Sequence, residues 1–122
     1  MSKQEIYGRM DAPIANGASS SSAISTHPYG PHGFAVEFDG GWTAANLGFS
    51  VSMDASTWLP VHLATGDRAV IENAAASSVR IAPEAAWVIG QYRYFRLDSI
   101  DASEVAVPQG AARALKVVFL NN

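Results

Sequence analysis

The chain contains no cysteine, so neither a disulfide nor a thiolate metal site can stabilise its fold. Basic residues are few, with 8 lysines and arginines against 11 acidic residues and a formal net charge of −3. A protein that binds a phosphate backbone needs clustered basic residues, so nucleic acid is not an expected partner. No hydrophobic run is long enough to span a membrane, and MSKQEIYGRM lacks the apolar core of a signal peptide. We therefore expect the protein to be synthesised in the cytoplasm and not to associate with a membrane.

Catalytic and metal-binding motifs are missing as well. The chain has no Walker loop, no GxGxxG fingerprint and no HExxH helix, and the serine run at residues 19–22 lacks the glycines of a nucleophile elbow. His27, His32 and His62 do not have the spacing of metal ligands on one helix or turn. We therefore predict a protein that is not an enzyme and that holds no cofactor and no metal.

Five aspartates follow stretches with the pattern of a strand and stand beside glycine, alanine or serine. Aspartate at such a position stabilises a turn by accepting hydrogen bonds from backbone N–H groups. We predict turn roles, and not acid catalysis or calcium binding, for Asp39, Asp54, Asp67, Asp98 and Asp101.

Residues 1–33 show no sustained hydrophobic period and are rich in glycine, serine and proline. Such a segment loses much entropy on ordering and buries little, which predicts an extended N-terminal arm outside the folded domain. The same composition fits a merely disordered leader, and residues 22–26 could form a first short strand. If the arm binds a partner, its candidate contact residues are Ile6, Tyr7, Met10, Ile14 and Tyr29.

Residues 34–122 instead alternate apolar and polar side chains over short runs that end at turn residues. The clearest run places Leu47, Phe49, Val51 and Met53 on one face of a strand. Similar patterns occur near residues 34–38, 58–63, 69–72, 78–82, 92–97 and 114–119, with one helical turn at residues 83–86. About seven to eight strands without a long helix predict an all-β domain, an antiparallel β-sandwich or a jelly roll.

The tryptophans have two possible roles. Trp42, beside two glycines, and Trp58 could form a flat platform on which sugar rings stack. Alternatively, Trp58 and Trp87 cover the core of the sandwich, because large rings at strand ends usually bury against neighbours.

Several segments resemble a family of small structural proteins of tailed bacteriophages. The resemblance rests on GWTAANLGFSVSMDASTWLPV, AAASSVRIAP, QYRYFRLDS and AARALKVVFL, which together span about Phe38 to Leu120. It implies a β-sandwich located in the virion. Members of this family often begin directly with a strand, so the long segment before residue 34 departs from the pattern.

The resemblance and the arm together favour a capsid decoration, or cement, protein on the outer surface of the head. Its partner would be the major capsid protein, contacted by an extended segment laid across neighbouring subunits. Icosahedral symmetry favours a homotrimer. The alternative is a tail or baseplate piece, or a carbohydrate-binding module for host attachment, because VSMDASTW also resembles discoidin-like sugar-binding sandwiches.

Overall fold

The computed structural model describes residues 5–26, 33–38, 40–74, 79–81 and 88–121. These residues contain nine strands, all paired antiparallel, so the predicted all-β sandwich is confirmed. In chain order the strands are β1 (Glu5–Asp11), β2 (Ile24–Ser25), β3 (Gly33–Glu37), β4 (Ala45–Ser52), β5 (Leu59–Pro60), β6 (Val70–Ala74), β7 (Val79–Ile81), β8 (Tyr94–Ile100) and β9 (Lys116–Asn121).

Two sheets form the sandwich. The first has four strands in the order β1-β9-β3-β7, and the second has five strands in the order β2-β8-β4-β5, with β6 also paired to β4. Both termini of the described chain, β1 and β9, lie side by side in the first sheet. The long central strands β4 and β8 organise the second sheet, where their seven-residue register runs from Asn46↔Ile100 to Ser52↔Tyr94.

The core forms where the inward faces of the two sheets meet. On β4 and β8 the opposed residues Phe49 and Leu97 are both fully buried, as the alternation in the sequence predicted. Val36 of β3 and Val117 of β9 are buried just as completely on the first sheet. Paired apolar side chains from both sheets therefore make one continuous core.

The hairpin predicted after β4 is also present. Its second strand, β5, is shorter than expected and pairs through Val51↔Leu59 and Ser50↔Pro60 only. Proline lacks a backbone N–H, which limits further pairing on that strand. The helical turn predicted at residues 83–86 lies outside the described residues.

The prediction that residues 1–33 form an arm outside the domain is wrong for residues 5–26. Strand β1 pairs with β9 in the first sheet, and β2 pairs with β8 in the second. Between them the chain crosses from one sheet to the other, and Ile14 and Ile24 lie in the core with 0% and 2% of their surface exposed. The N-terminal segment is thus a strap that ties the two sheets together.

Backbone hydrogen bonds hold this strap along its length. Ala12 N donates to the Leu115 carbonyl at 2.8 Å, and Ile14 exchanges both backbone bonds with Arg113. On the second sheet, Ser21 N donates to the carbonyl of Leu97 at 2.9 Å. These pairings satisfy backbone groups that a loop buried against the core would otherwise leave without partners.

A β-bulge explains why the sequence pattern missed β1. Ile6 pairs with Leu120 and Gly8 with Phe119, so Tyr7 is an extra residue in the strand. An inserted residue shifts the alternation of faces by one position, which destroys a period-two pattern in a strand of seven residues.

Candidate functional site

A buried carboxylate organises the outer face of the five-stranded sheet. Asp98 lies opposite Gly48 in the β8–β4 register, and only 8% of its side chain is exposed. Four side chains donate hydrogen bonds to it: Ser20 Oγ at 2.9 Å, Ser50 Oγ at 2.5 Å, Arg68 Nη2 at 2.9 Å and Arg96 Nε at 2.9 Å. Two guanidinium groups and two hydroxyls thus compensate the charge and the desolvation of this carboxylate.

Arg68 reaches this carboxylate because residue 48 is glycine. A Cβ atom at Gly48 would lie 3.0 Å from Ile100 Cδ1, 3.2 Å from Arg68 Nη2 and 3.3 Å from Arg68 Cζ, so a larger residue would push these groups back by a few tenths of an ångström. Arg68 Nη2 also donates to the Phe49 carbonyl at 3.1 Å. Its side chain is only 9% exposed, and its Nε finds no acceptor among the described residues.

Trp58 stands beside this network, at the start of the β5 side of the hairpin. The Arg96 guanidinium lies 4.8 Å from the centroid of its ring, a cation–π contact that holds the half-exposed ring in place. Trp58, Arg68, Arg96 and Asp98 together line a depression of about 300 Å³. Of the two tryptophans proposed as a sugar platform, the structure places this one in a polar, concave setting.

A second depression, of about 480 Å³, adjoins the first, because Arg68, Ile100 and Glu104 line both. Glu104 takes a positive φ of 64° in a turn closed by its N–H bond to the carbonyl of Asp101. Its carboxylate lies 3.7 Å from Arg68 Nη1 and 3.4 Å from His62 Nε2. Glu104 therefore forms the boundary between the two depressions.

Trp42, the other proposed platform residue, is buried, so that prediction is wrong. Its ring packs edge-to-face on Phe38 with centroids 5.3 Å apart, and 8% of its surface is exposed. The glycine that precedes it, Gly41, has a φ of +83°, a backbone conformation that glycine adopts readily. Large aromatic rings usually pack into the core, and Trp42 does so here. Trp87 lies outside the described residues.

The five residues predicted to contact a partner lie in different parts of the structure. Ile14 is wholly buried, so it cannot contact a partner, and Met10 packs half-buried against the core. Ile6 and Tyr7 lie on β1. Tyr29 lies outside the described residues.

Strand β1 is an edge of its sheet. It pairs with β9 on one side and has no strand partner on the other within the described part of the chain. It is seven residues long, whereas the other edge strands, β2, β5, β6 and β7, have two, two, five and three residues. Proteins usually shorten or interrupt their edge strands to prevent pairing with other chains. Strand β1 is the longest edge in the described part of the chain, although the bulge at Tyr7 interrupts it near its start.

Of the five turn roles predicted for aspartates, two hold and one fails. The Asp67 carboxylate accepts the Thr65 hydroxyl at 3.3 Å in an exposed turn, and Asp39 lies outside the described residues. Asp101 Oδ1 accepts bonds from the N–H groups of Ser103 and Val105, and Asp54 closes the β4–β5 turn. Asp98 instead lies inside β8 and carries the buried network, because its side chain points to the outer face where Arg68 covers it.

We expect the carboxyl of Asp54 to titrate below its ordinary pKa of 3.8. The N–H of Thr57 lowers this pKa most, followed by the N–H of Ser56 and the hydroxyl of Ser52, since all three donate to the ionised form. The turn therefore has its full contribution from Asp54 above pH 3.8 and loses it as the pH falls through the lowered value. A carboxyl-detected NMR titration checks this, and a midpoint at or above 3.8 contradicts it.

The described histidine and two serines of the serine run have partners in the fold. His62 is exposed and contacts Glu104, whereas His27 and His32 lie outside the described residues. Within the described ranges, no three histidine or carboxylate side chains cluster closely enough to hold a metal. Ser20 bonds to Asp98, and Ser21 Oγ accepts the N–H of Leu97, so both hydroxyls have structural partners.

Sequence reasoning missed Arg68 and Glu104, which complete the two depressions. The sequence contained one signal of this site. Tyr94, Arg96 and Asp98 are spaced two residues apart, so they share the outer face of β8 and place two opposite charges together. No local signal exists for Arg68, which arrives from the loop before β6.

Comparison with known proteins adds no assignment. No family model matches the chain, and neither the curated proteins nor the solved structures contain a match. Among the described residues, no helix has the length and apolar character needed to cross a membrane.

Proposed function

We propose that this protein is a structural component of a tailed-bacteriophage particle that decorates the capsid by binding the major capsid protein. The resemblance of residues 38–120 to small virion proteins supports the location. The single structural observation in its favour is the seven-residue edge strand β1, whose outer side has no strand partner among the described residues. A strand of a capsid subunit could add to this edge, since main-chain hydrogen bonds then supply affinity without a large apolar interface.

The role of β1 replaces that of a free arm. Ile6 and Tyr7 remain the candidate contact residues, because both belong to the edge strand. Ile14 no longer belongs to this set. A trimer around each threefold axis of the shell is the oligomer that symmetry favours.

Hydrogen exchange on particles tests this proposal. Capsids assembled without the protein are incubated with it, separated from unbound protein, and compared with the free protein by deuterium uptake. We expect binding, together with slower exchange in peptides that cover residues 5–11, because added strand bonds protect the outward amides. The hairpin tip at residues 53–57 serves as the internal control and should not change.

Two results would contradict the proposal in different ways. If the protein does not bind capsids or raise their thermal stability, capsid decoration is wrong. If it binds but protects the hairpin tip or the Trp58 depression and leaves β1 unchanged, the contact surface is wrong while the location stands.

The second candidate function is carbohydrate binding in host attachment, as part of the tail or baseplate. The observation that favours it is the half-exposed Trp58 ring in a depression lined by Arg96 and Asp98. A particle map that places the copies on the tail would favour this function, and threefold clusters on the head would favour the first.

A further inference from the structure

The two depressions on the outer face of the second sheet form one continuous surface. They share Arg68, Ile100 and Glu104, and their volumes of about 300 and 480 Å³ fall in the range typical of small-ligand sites. The first contains the only tryptophan ring that is part-exposed among the described residues. The second continues past Glu104 to Asn46.

The first depression combines an apolar ring with fixed polar groups. The Arg96 guanidinium covers one face of the Trp58 ring, 4.8 Å from its centroid, so the flat surface that this part-exposed ring can offer to a ligand is its other face. The polar wall beside it is rigid, because Asp98 already receives four hydrogen bonds. Such a site suits a ligand with one apolar face and several hydroxyls, which is the chemistry of a sugar ring.

Arg68 supplies an independent indication of a ligand. Its side chain is nine-tenths buried and borders both depressions, yet Nε has no acceptor among the described residues. A buried donor without an acceptor is costly, so a small movement of this side chain that brings Nε to the surface of a depression would be favoured when a ligand oxygen accepts from it. A sugar hydroxyl is an acceptor that can also donate onward to a carboxylate such as Glu104.

The charged residues that line the two depressions indicate which sugars could bind. In the first depression two guanidinium groups, from Arg68 and Arg96, balance the carboxylates of Asp98 and Glu104. The second depression is acidic, because Arg68 is the one basic residue among its lining residues while the acidic ones are Asp67, Glu72, Asp101 and Glu104. A ligand that carries carboxylates would be repelled there, whereas hydroxyl and amino groups would find acceptors.

We infer that the joined depressions bind an uncharged or amino-bearing oligosaccharide of two or three residues, with one ring stacked on Trp58 and a hydroxyl bonded to Arg68. This deepens the second candidate function by naming its ligand class. It does not depend on capsid decoration, because both roles can occur on one protein through different surfaces.

Calorimetric titration of the purified protein tests the inference. The probes are maltotriose, cellotriose, the trisaccharides of glucosamine and of N-acetylglucosamine, and an oligouronate as the acidic counterpart. We expect saturable binding of at least one neutral or amino-bearing probe and at least tenfold weaker binding of the oligouronate.

Three variants locate the site. Trp58→Ala should weaken binding at least tenfold, and Gly48→Ala should weaken it as well, because the new Cβ displaces the Arg68 guanidinium. Leu59→Ala is the matched control: Leu59 is 52% exposed and next in sequence to Trp58, but it lines neither depression. Circular dichroism and thermal melting confirm that each variant is folded.

Several outcomes would overturn the inference. These are no saturable binding of any neutral or amino-bearing probe, equal binding by folded Trp58→Ala, or tighter binding of the oligouronate. None of them bears on capsid binding, which is measured on particles, so the two proposals fail separately.

Discussion

Replacing Asp98 by alanine is expected to lower the free energy of unfolding by about 3–5 kcal/mol, the usual cost of removing one partner from a buried ion pair. The Arg68 guanidinium, 9% exposed, would keep its charge and lose the nearer of its two carboxylates, leaving only Glu104 at 3.7 Å, and Ser50 would lose its acceptor as well. Small domains are stable by only about 5–15 kcal/mol, so this one change removes a large part of the total. Urea unfolding followed by circular dichroism measures it.

Two further variants make the result specific. Asp67→Ala removes an exposed carboxylate at the edge of the same surface and should change stability by no more than about 0.5 kcal/mol. Adding Arg68→Met to Asp98→Ala should recover part of the loss, because the stranded charge is then gone. A loss below about 1 kcal/mol for Asp98→Ala would mean that the carboxylate is not the centre of the network.

The strands that sequence predicted well have a regular period and bury one face. On β4 the run through Leu47, Phe49 and Val51 is buried as the pattern predicted, but Met53, just past the end of the strand, is 56% exposed, and Ser50 and Ser52 on the opposite face are buried as well. Strand β1 lacks such a run because Tyr7 is inserted, and β2 has only two residues. The pattern failed where a bulge or short pairing hides the period, and the missing strands were then assigned to an arm.

The candidate site was only half predictable for a related reason. Trp58 was a candidate residue in the sequence and β4, β5 and β8 were each visible, but the order of these strands, which brings Trp58 to Arg96, was not. Arg68 could not be placed from the sequence. It contacts Asp98, which is 30 positions away in the chain, and the guanidinium lies where a side chain at residue 48 would otherwise be. Long-range polar contacts of this kind have no sequence period that could reveal them.

Ile14→Ala is expected to cost about 2–5 kcal/mol of stability, the usual range for removing a large aliphatic side chain from a core. Ile14 is fully buried, and its backbone exchanges two hydrogen bonds with Arg113, so little local collapse can fill the cavity. Met53→Ala is the matched control, because Met53 is 56% exposed and its truncation should cost no more than about 0.5 kcal/mol. A free arm would make both variants equally harmless, so similar unfolding midpoints for the two would contradict the strap. Early cleavage within residues 12–26 by a dilute protease would contradict it as well, since a segment bonded to both sheets can be cut only after it opens.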